Sequence, residues 1–240
     1  MRFTKRKESL IVFANPAIAG RTKTRLTKEI GIQPALELYK SFLINLSDIA
    51  ANIYKRRKSV SLIAEWSIDN TEELTSFPLS KWLPGRFLHR KQNGRNLGER
   101  MISSLGRRIA YDSNAVLIGS DIPGIDEETI INSFEFLINK QDAKSQKKTV
   151  IGPSEDGGFY LIGMNRFNNC IFNEIDWDSE DTFKCVTNNL RNECFLLKFL
   201  PEKIDVDFIK DIEKVLSKSK QNQFTLNKRI RSVMEKLITK

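Results

Sequence analysis

The stretch Ala115-Val-Leu-Ile-Gly-Ser-Asp121-Ile-Pro-Gly124 does most to limit what this chain can fold into. Four apolar residues in a row, followed by turn-formers, suit a strand buried on both faces. Pro123 has no N–H to give to a sheet ladder, so the strand must end before it. Asp121 then stands at the carboxyl end of a buried strand, where open α/β sheets hold their ligands. One reading is that Asp121 holds a divalent cation; the other is a turn-former or helix-cap aspartate.

Apolar runs at 9–14, 59–66, 149–152, 159–164 and 195–200 give further strands, with a short one at 87–91. Between them lie segments of helical period: one beginning at Pro34 with Leu36, Tyr39, Leu43 and Leu46 on one face, one leading through Ala110, and others at 126–138, after 175–183 and at 207–218. Ser179 or Asp178 is the expected cap of the helix after 183. Residues 67–86 read as irregular and 142–148 as a polar loop. Strands alternating with helices, in 240 residues of which 40% are hydrophobic, predict one α/β unit with a helical tail. The boundaries read as 1–217 for that unit and 218–240 for a basic, partly amphipathic C-terminal helix packing on its own domain.

The net charge of +9 points to an anionic partner without naming it. Three cysteines, Cys170, Cys185 and Cys194, with no CxxC spacing, read as reduced thiols rather than zinc ligands. The single histidine, His89, leaves little room for a Ser-His-Asp triad. Residues 1–7 are basic and precede an apolar run, as in a secretory signal. The run 10–14 is only five residues, below the ~7–15 of a signal core, and reads as a first, central strand. No stretch approaches the ~20 apolar residues of a membrane span, so the expected location is cytoplasmic.

Two further stretches carry chemistry. After the first strand comes Asn15-Pro-Ala-Ile-Ala-Gly-Arg-Thr-Lys-Thr-Arg25. Gly20 lets backbone approach a ligand while Arg21, Lys23 and Arg25 supply charge, which would cradle phosphates; a solvated basic loop is the alternative. It is no Walker A loop, since GxxxxGK[ST] is absent. Later, Asp156-Gly-Gly158 turns between two strands, where two glycines permit close approach of a ligand or simply a hairpin. Near the end, Asp205 and Asp207 stand two apart. Asp207 could cap the helix that follows; Asp205 has no such ready explanation.

Taken together, Phe13-Ala-Asn-Pro-x-x-x-Gly-Arg-Thr-Lys-Thr-Arg-Leu26, Asn96-Leu-Gly-Glu-Arg-Met101, Leu117-Ile-Gly-Ser-Asp-Ile-Pro-Gly124, Gly152-Pro-Ser-Glu-Asp-Gly-Gly-Phe-Tyr-Leu-Ile-Gly163 and Asp205-Val-Asp207 resemble the DUF2064 family of bacterial glycosyltransferase-like proteins, some called selenodomain-associated transferases. The resemblance runs from about Ser9 to Asp211 and implies the GT-A nucleotide-diphospho-sugar transferase fold: a Rossmann-like three-layer sandwich whose mostly parallel sheet is flanked by helices. It also implies a cytoplasmic transferase that takes a nucleotide or nucleotide-sugar and a small-molecule acceptor. Gly20, Arg21, Lys23, Thr24, Arg25, Gly98 and Arg100 would meet the nucleotide and its phosphates. Asp121, with Asp205 or Asp207, would bind Mg²⁺ or Mn²⁺, and Gly157, Gly158 and Phe159 would shape the acceptor pocket. Asp121, Asp156 and Lys23 would be catalytic. The chain departs from the family at Asn15, where Lys is usual, and at Asn45 and Asn96, where Asp is expected.

Three functions follow. The first is a metal-dependent glycosyltransferase releasing a nucleoside diphosphate. The second is a nucleotidyltransferase releasing pyrophosphate from a nucleoside triphosphate and a phosphorylated acceptor. The third is a degenerate domain that binds an anion or nucleic acid, for which Asn15, Asn45 and Asn96 speak; no nucleic-acid motif is visible, and nucleic acid is not an expected partner.

Overall fold

A computed structural model describes residues 8–76, 78–111, 114–139 and 146–239. Seven strands form one sheet: β1 (Glu8–Ala14), β2 (Val60–Trp66), β3 (Phe87–Lys91), β4 (Asn114–Gly119), β5 (Lys148–Pro153), β6 (Phe159–Met164) and β7 (Leu196–Phe199), in the order β3-β2-β1-β4-β6-β5-β7. β1 pairs in parallel with both β2 and β4, β2 with β3, and β5 with β7. Only β6 runs against its neighbours β4 and β5. The β5–β6 connection is five residues long, which permits a hairpin but not a parallel crossover.

β1 is buried along its whole length. Its alternate side chains feed two cores on opposite faces of the sheet. Leu10, Val12 and Ala14 enter one core with α2 (Ile32–Arg56), α5 (Glu127–Ile138), α7 (Ile209–Lys220) and α8 (Lys228–Ile238). Ile11 and Phe13 enter the other with α4 (Leu97–Tyr111) and α6 (Thr182–Asn192). The result is the three-layer α/β sandwich expected. From β1 the chain steps outward to β2 and β3, then crosses back to β4 on the other side of β1. The crevice over the carboxyl ends of β1 and β4 is therefore the point where strand order reverses, the position favoured for ligands in such sheets.

Several boundaries differ from expectation, each for a local reason. The loop after β1 ends at Lys23, and a short helix α1 (Thr24–Ile30) takes up Thr24 and Arg25. Gly31, at φ 89°, separates α1 from α2, a backbone angle that favours glycine. α2 starts at Ile32, with Pro34 inside its first turn, where a missing N–H is no loss. The expected cap at Asp178 or Ser179 is not made: α6 begins at Thr182, because Ser179 Oγ accepts from the Asp181 N–H at 3.1 Å and keeps that segment in a turn. Among the described residues of 67–86 there are one four-residue helix, α3 (Glu73–Ser76), and a single 3₁₀ turn. The basic start at 1–7 and residues 142–145 of the polar loop lie outside the described residues, and Lys148 opens β5.

The last two helices are shifted from the bounds expected, 207–218 and 218–240, and a non-helical stretch separates them. α7 continues to Lys220, and Asn227 starts α8 with its side chain accepting from the Arg229 N–H at 2.9 Å. The same Asn227 donates to Asn45 Oδ1 on α2 at 2.8 Å. Leu226, Ile230 and Met234 are buried in the core they share with α2. Among the described residues no helix is long and apolar enough to cross a membrane. Because Met234 is fully buried, Met234→Ala is expected to lower stability by about 2–5 kcal/mol in urea unfolding. A loss below 0.5 kcal/mol would show that α8 adds nothing to the common core.

Candidate functional site

Three chain-distant carboxylates meet on one ammonium. Lys23, the last residue before α1, sits in the left-handed region at φ 50°. Its side chain is only 2% exposed, and Nζ lies 2.8 Å from Asp121 Oδ2, 3.2 Å from Asp205 Oδ1 and 3.2 Å from Asp207 Oδ1. Arg25 reaches the other oxygen of Asp207 at 2.9 Å. Three carboxylates against two cations leave one negative charge over.

Asp121 is held from behind. Ser120 Oγ donates to Asp121 Oδ1 at 3.1 Å and lies 2.9 Å from the Tyr39 hydroxyl. Tyr39, on α2, accepts from the Asn15 N–H at 2.9 Å and donates to the Asn15 carbonyl at 2.8 Å. One phenol thus ties the end of β1 to the end of β4, with two hydroxyl hydrogens shared among three contacts. Asp207 does not cap α7: Asp211 does, accepting from the Phe208 N–H at 2.7 Å and the Asp207 N–H at 3.0 Å. With that task taken, the carboxylate of Asp207 faces Lys23 and Arg25.

Beside this cluster a cavity of about 810 Å³ opens over the carboxyl ends of β1 and β4. Phe13 and Gly119 form its floor, Arg25, Asp205 and Asp207 its edge toward Lys23, and Trp177 part of the far wall. Asp156, Gly158 and Phe159 also line it. Asp156 Oδ1 accepts from Ser154 Oγ and from the Gly158 N–H at 3.1 Å. Gly157, at φ 87°, allows close packing: a Cβ there would come within 2.0 Å of the Glu180 carbonyl oxygen.

The remaining expected residues are placed elsewhere. Arg21 turns outward to Asp69 at 3.2 Å and Glu73 at 3.0 Å. Gly20 and Thr24 are exposed beside it. Arg100 donates to Ser67 Oγ at 3.0 Å and to the Gly94 carbonyl at 3.3 Å, fixing the turn before α4. Gly98 acts through Trp177, whose indole would lie 2.6 Å from a Cβ at that position. His89 is taken up by Trp66, whose Nε1–H it accepts at 2.9 Å, and takes part in no triad. Sequence reasoning passed over Tyr39 and Trp177. Tyr39 reads as one more apolar position on a helix face, and only its hydroxyl reveals its position behind Asp121. Trp177 stands between Asp176 and Asp178, a polar context whose one large aromatic was the available signal.

The family's three departures have local explanations for two of them. Asn45 pairs with Asn227 at the α2–α8 contact. Asn96 Oδ1 accepts from the Glu99 N–H at 2.9 Å at the start of α4, a capping task that Asn and Asp perform equally well. Asn15 is exposed, and its backbone is what Tyr39 holds.

With this geometry in place, residues 56–179 match a family described as uncharacterized proteins conserved in bacteria, DUF2064. The chain belongs to the DUF2064 family. The matched span contains the blocks around Asn96, Asp121 and Asp156, while Lys23, Asp205 and Asp207 lie outside it. Among solved structures, a candidate nucleotide-diphospho-sugar transferase from Desulfovibrio desulfuricans G20 is similar at 23% identity and TM-score 0.78, covering 96% of this chain and 97% of that one. A cytidylyltransferase from Leptospira borgpetersenii is similar at 13% identity and TM-score 0.52, over 97% of this chain and 94% of that one. The 4-diphosphocytidyl-2C-methyl-D-erythritol synthase of Anaerococcus prevotii follows at 11% and 0.50, over 88% and 96%. At these identities the likeness establishes the fold. No curated protein matches in sequence.

In this DUF2064 member, among the described residues, no three His, Cys, Asp or Glu side chains are disposed to close around a metal ion. The three aspartates face an ammonium instead. Their chemistry still suits a hard cation that takes one or two carboxylates and draws its other ligands from phosphates and water, as Mg²⁺ does. The charge left over agrees. Burial pushes the Asp205 carboxyl up, Lys23 pulls it down, and Asp121 and Asp207 raise it again, to about 7. For Lys23, burial would lower the ammonium's pKa, but the three carboxylates outweigh it and hold the pKa above the ordinary lysine value.

An acid held up in the folded state keeps a proton that the unfolded chain has released. Between an unfolded value of about 4 and the folded value of about 7, Asp205 therefore makes stability fall as pH rises. Asp205→Asn removes that slope. In metal-free urea unfolding, the variant is expected to gain stability relative to the parent between pH 5 and pH 8; an equal difference at both pH values would refute the assignment.

Proposed function

We propose that this protein is a metal-assisted transferase using a nucleotide-diphosphate donor, with glycosyl transfer from a nucleotide-sugar as the leading reaction. The observation that carries the reading is the meeting of Lys23, Arg25, Asp121, Asp205 and Asp207 at the edge of an 810 Å³ cavity where the strand order reverses. A departing diphosphate gathers negative charge as its bond to the sugar breaks, and cations fixed in advance stabilise it. Mg²⁺ or Mn²⁺ held by Asp121 with Asp205 or Asp207 would supply Lewis-acid neutralisation of that charge.

The chain's own residues would do the rest. Arg25 and Lys23 bind phosphate oxygens of the donor. Phe13 and Trp177 offer apolar surface for the base or sugar and keep water from the reacting carbon. Asp156 is the general base: its Oδ1 is engaged by Ser154 and Gly158, leaving Oδ2 to accept the proton of an acceptor hydroxyl. The freed oxygen attacks the anomeric carbon, the carbon–oxygen bond to phosphate breaks, and the nucleoside diphosphate leaves with that electron pair.

Glycosyl transfer is preferred over nucleotidyl transfer because Arg21 is committed to Asp69 and Glu73. Of the three cations of 21–25, Lys23 and Arg25 are then left beside the cluster, a pair suited to a diphosphate. Product analysis separates the two: nucleoside diphosphate supports the first, pyrophosphate the second.

Calorimetric titration of nucleotide-sugars with Mn²⁺ is the direct test of the donor site. A parent that binds one of them, and an Asp121→Ala variant that has lost at least ten-fold in affinity while keeping its fold, is the expected result. Unchanged affinity in Asp121→Ala would remove the metal reading. Asp156→Asn should lower kcat by about 10²–10⁴ with donor affinity retained, the range general-base removal gives.

A further inference from the structure

The occupant of the three-aspartate cluster is a side chain of the chain itself, and this bears on how the site loads. Lys23 Nζ lies within 3.2 Å of one oxygen from each of Asp121, Asp205 and Asp207, and its side chain is almost wholly enclosed. The Asp121 contact has the length of a charge-assisted hydrogen bond, those to Asp205 and Asp207 stand at the long end of the hydrogen-bond range, and an ammonium has three hydrogens for three acceptors. The cluster is therefore already satisfied by a cation. A divalent metal taking the same oxygens would stand beside the enclosed ammonium, and the two positive charges would repel.

Lys23 has somewhere to go. It is the hinge residue between the loop after β1 and α1, at φ 50°, a region that costs a side-chain-bearing residue energy and persists only where its surroundings enforce it. The enforcing contacts are the three carboxylates. Arg25, two residues on, already lines the cavity, so a short swing would bring Lys23 toward the same ligand. A diphosphate arriving there offers the ammonium new oxygens as it gives up the old.

We infer that Lys23 is a resident cation that a divalent metal must displace, so that metal enters this site together with the diphosphate and only poorly ahead of it. The inference rests on the metal reading above and adds an order of loading to it. Coupling of this kind is reciprocal: what the diphosphate does for the metal, the metal does for the diphosphate. It makes Lys23 a positioning residue for the metal site as well as a phosphate ligand.

The test uses Mn²⁺ alone, followed by electron paramagnetic resonance or calorimetry, on the full chain. The parent should bind weakly. Lys23→Met should bind at least ten-fold more tightly, Lys23→Arg should stay as weak as the parent, and Asp121→Asn in the Lys23→Met background should lose the gain. A folded Lys23→Met that binds Mn²⁺ no better than the parent overturns the inference and leaves the metal reading standing, provided Mn²⁺ with a nucleotide-sugar still binds the parent. Should no protein bind Mn²⁺ under any condition, the metal reading itself falls and this inference with it.

Since Lys23→Met strips three carboxylates of their partner, a second measurement uses the parent. Reductive methylation read by mass spectrometry should find Lys23 among the least modified lysines without ligand, and several-fold more modified at Mn²⁺ concentrations that fill the site. Mn²⁺ binding with Lys23 still protected would equally overturn it.

Discussion

Everything at this site depends on one ammonium standing among carboxylates contributed by residues 121, 205 and 207. Carboxylates that close together need a cation or a retained proton to relieve their repulsion, so the loop after β1, the end of β4 and the approach to α7 cannot be placed independently. The loop must turn left-handed at residue 23 to aim the side chain inward. β4 must stop at Gly119 so that Ser120 and Asp121 face Tyr39 and Lys23. α7 must be capped by some residue other than Asp207, and Asp211 takes that place. Glu29 of α1 adds a second tie between these segments, accepting from the Ile209 N–H at 2.7 Å.

The sheet explains why these pieces meet. Parallel strands all present their carboxyl ends on one side, and the reversal of order between β1 and β4 opens a crevice there. The antiparallel β6 brings a third element to the same side, because its hairpin with β5 turns at 154–158 beside the carboxyl ends. The charge of the cavity's surroundings follows. Glu155 in that hairpin is gripped by Lys214 and Lys218 of α7, which closes the cavity against the C-terminal helices.

Strands and most helices were legible because their signals are local: runs of apolar residues, helical spacing, and Pro or Gly at the ends. Asp121 was legible for the same reason, an acid directly after a buried strand. What the sequence concealed was partnership. Arg21, Lys23 and Arg25 are alternate residues in one basic loop, and nothing in their spacing says that Arg21 faces Asp69 while Lys23 is enclosed. The break between α7 and α8 was expected at 218 and falls at 221–227, a stretch with no proline or glycine, where it depends on Asn222 at φ 57° and on Asn227 meeting Asn45. Asp207 looked like a cap because a cap is what an Asp before a helix most often is; the competing acid lay four residues on.

The departures from the family pattern are best weighed by what each side chain touches. An Asp-to-Asn change matters when the charge itself is used, as it would be at 121, 205 or 207. At 96 the task is to accept one backbone N–H, and an amide oxygen does that as well as a carboxylate. At 45 the neighbour is another amide, and a carboxylate there would be a buried charge facing an amide rather than a cation. The asparagine at 45 is thus matched to α8, which lies beyond the resemblance. Neither change touches the charged cluster on Lys23.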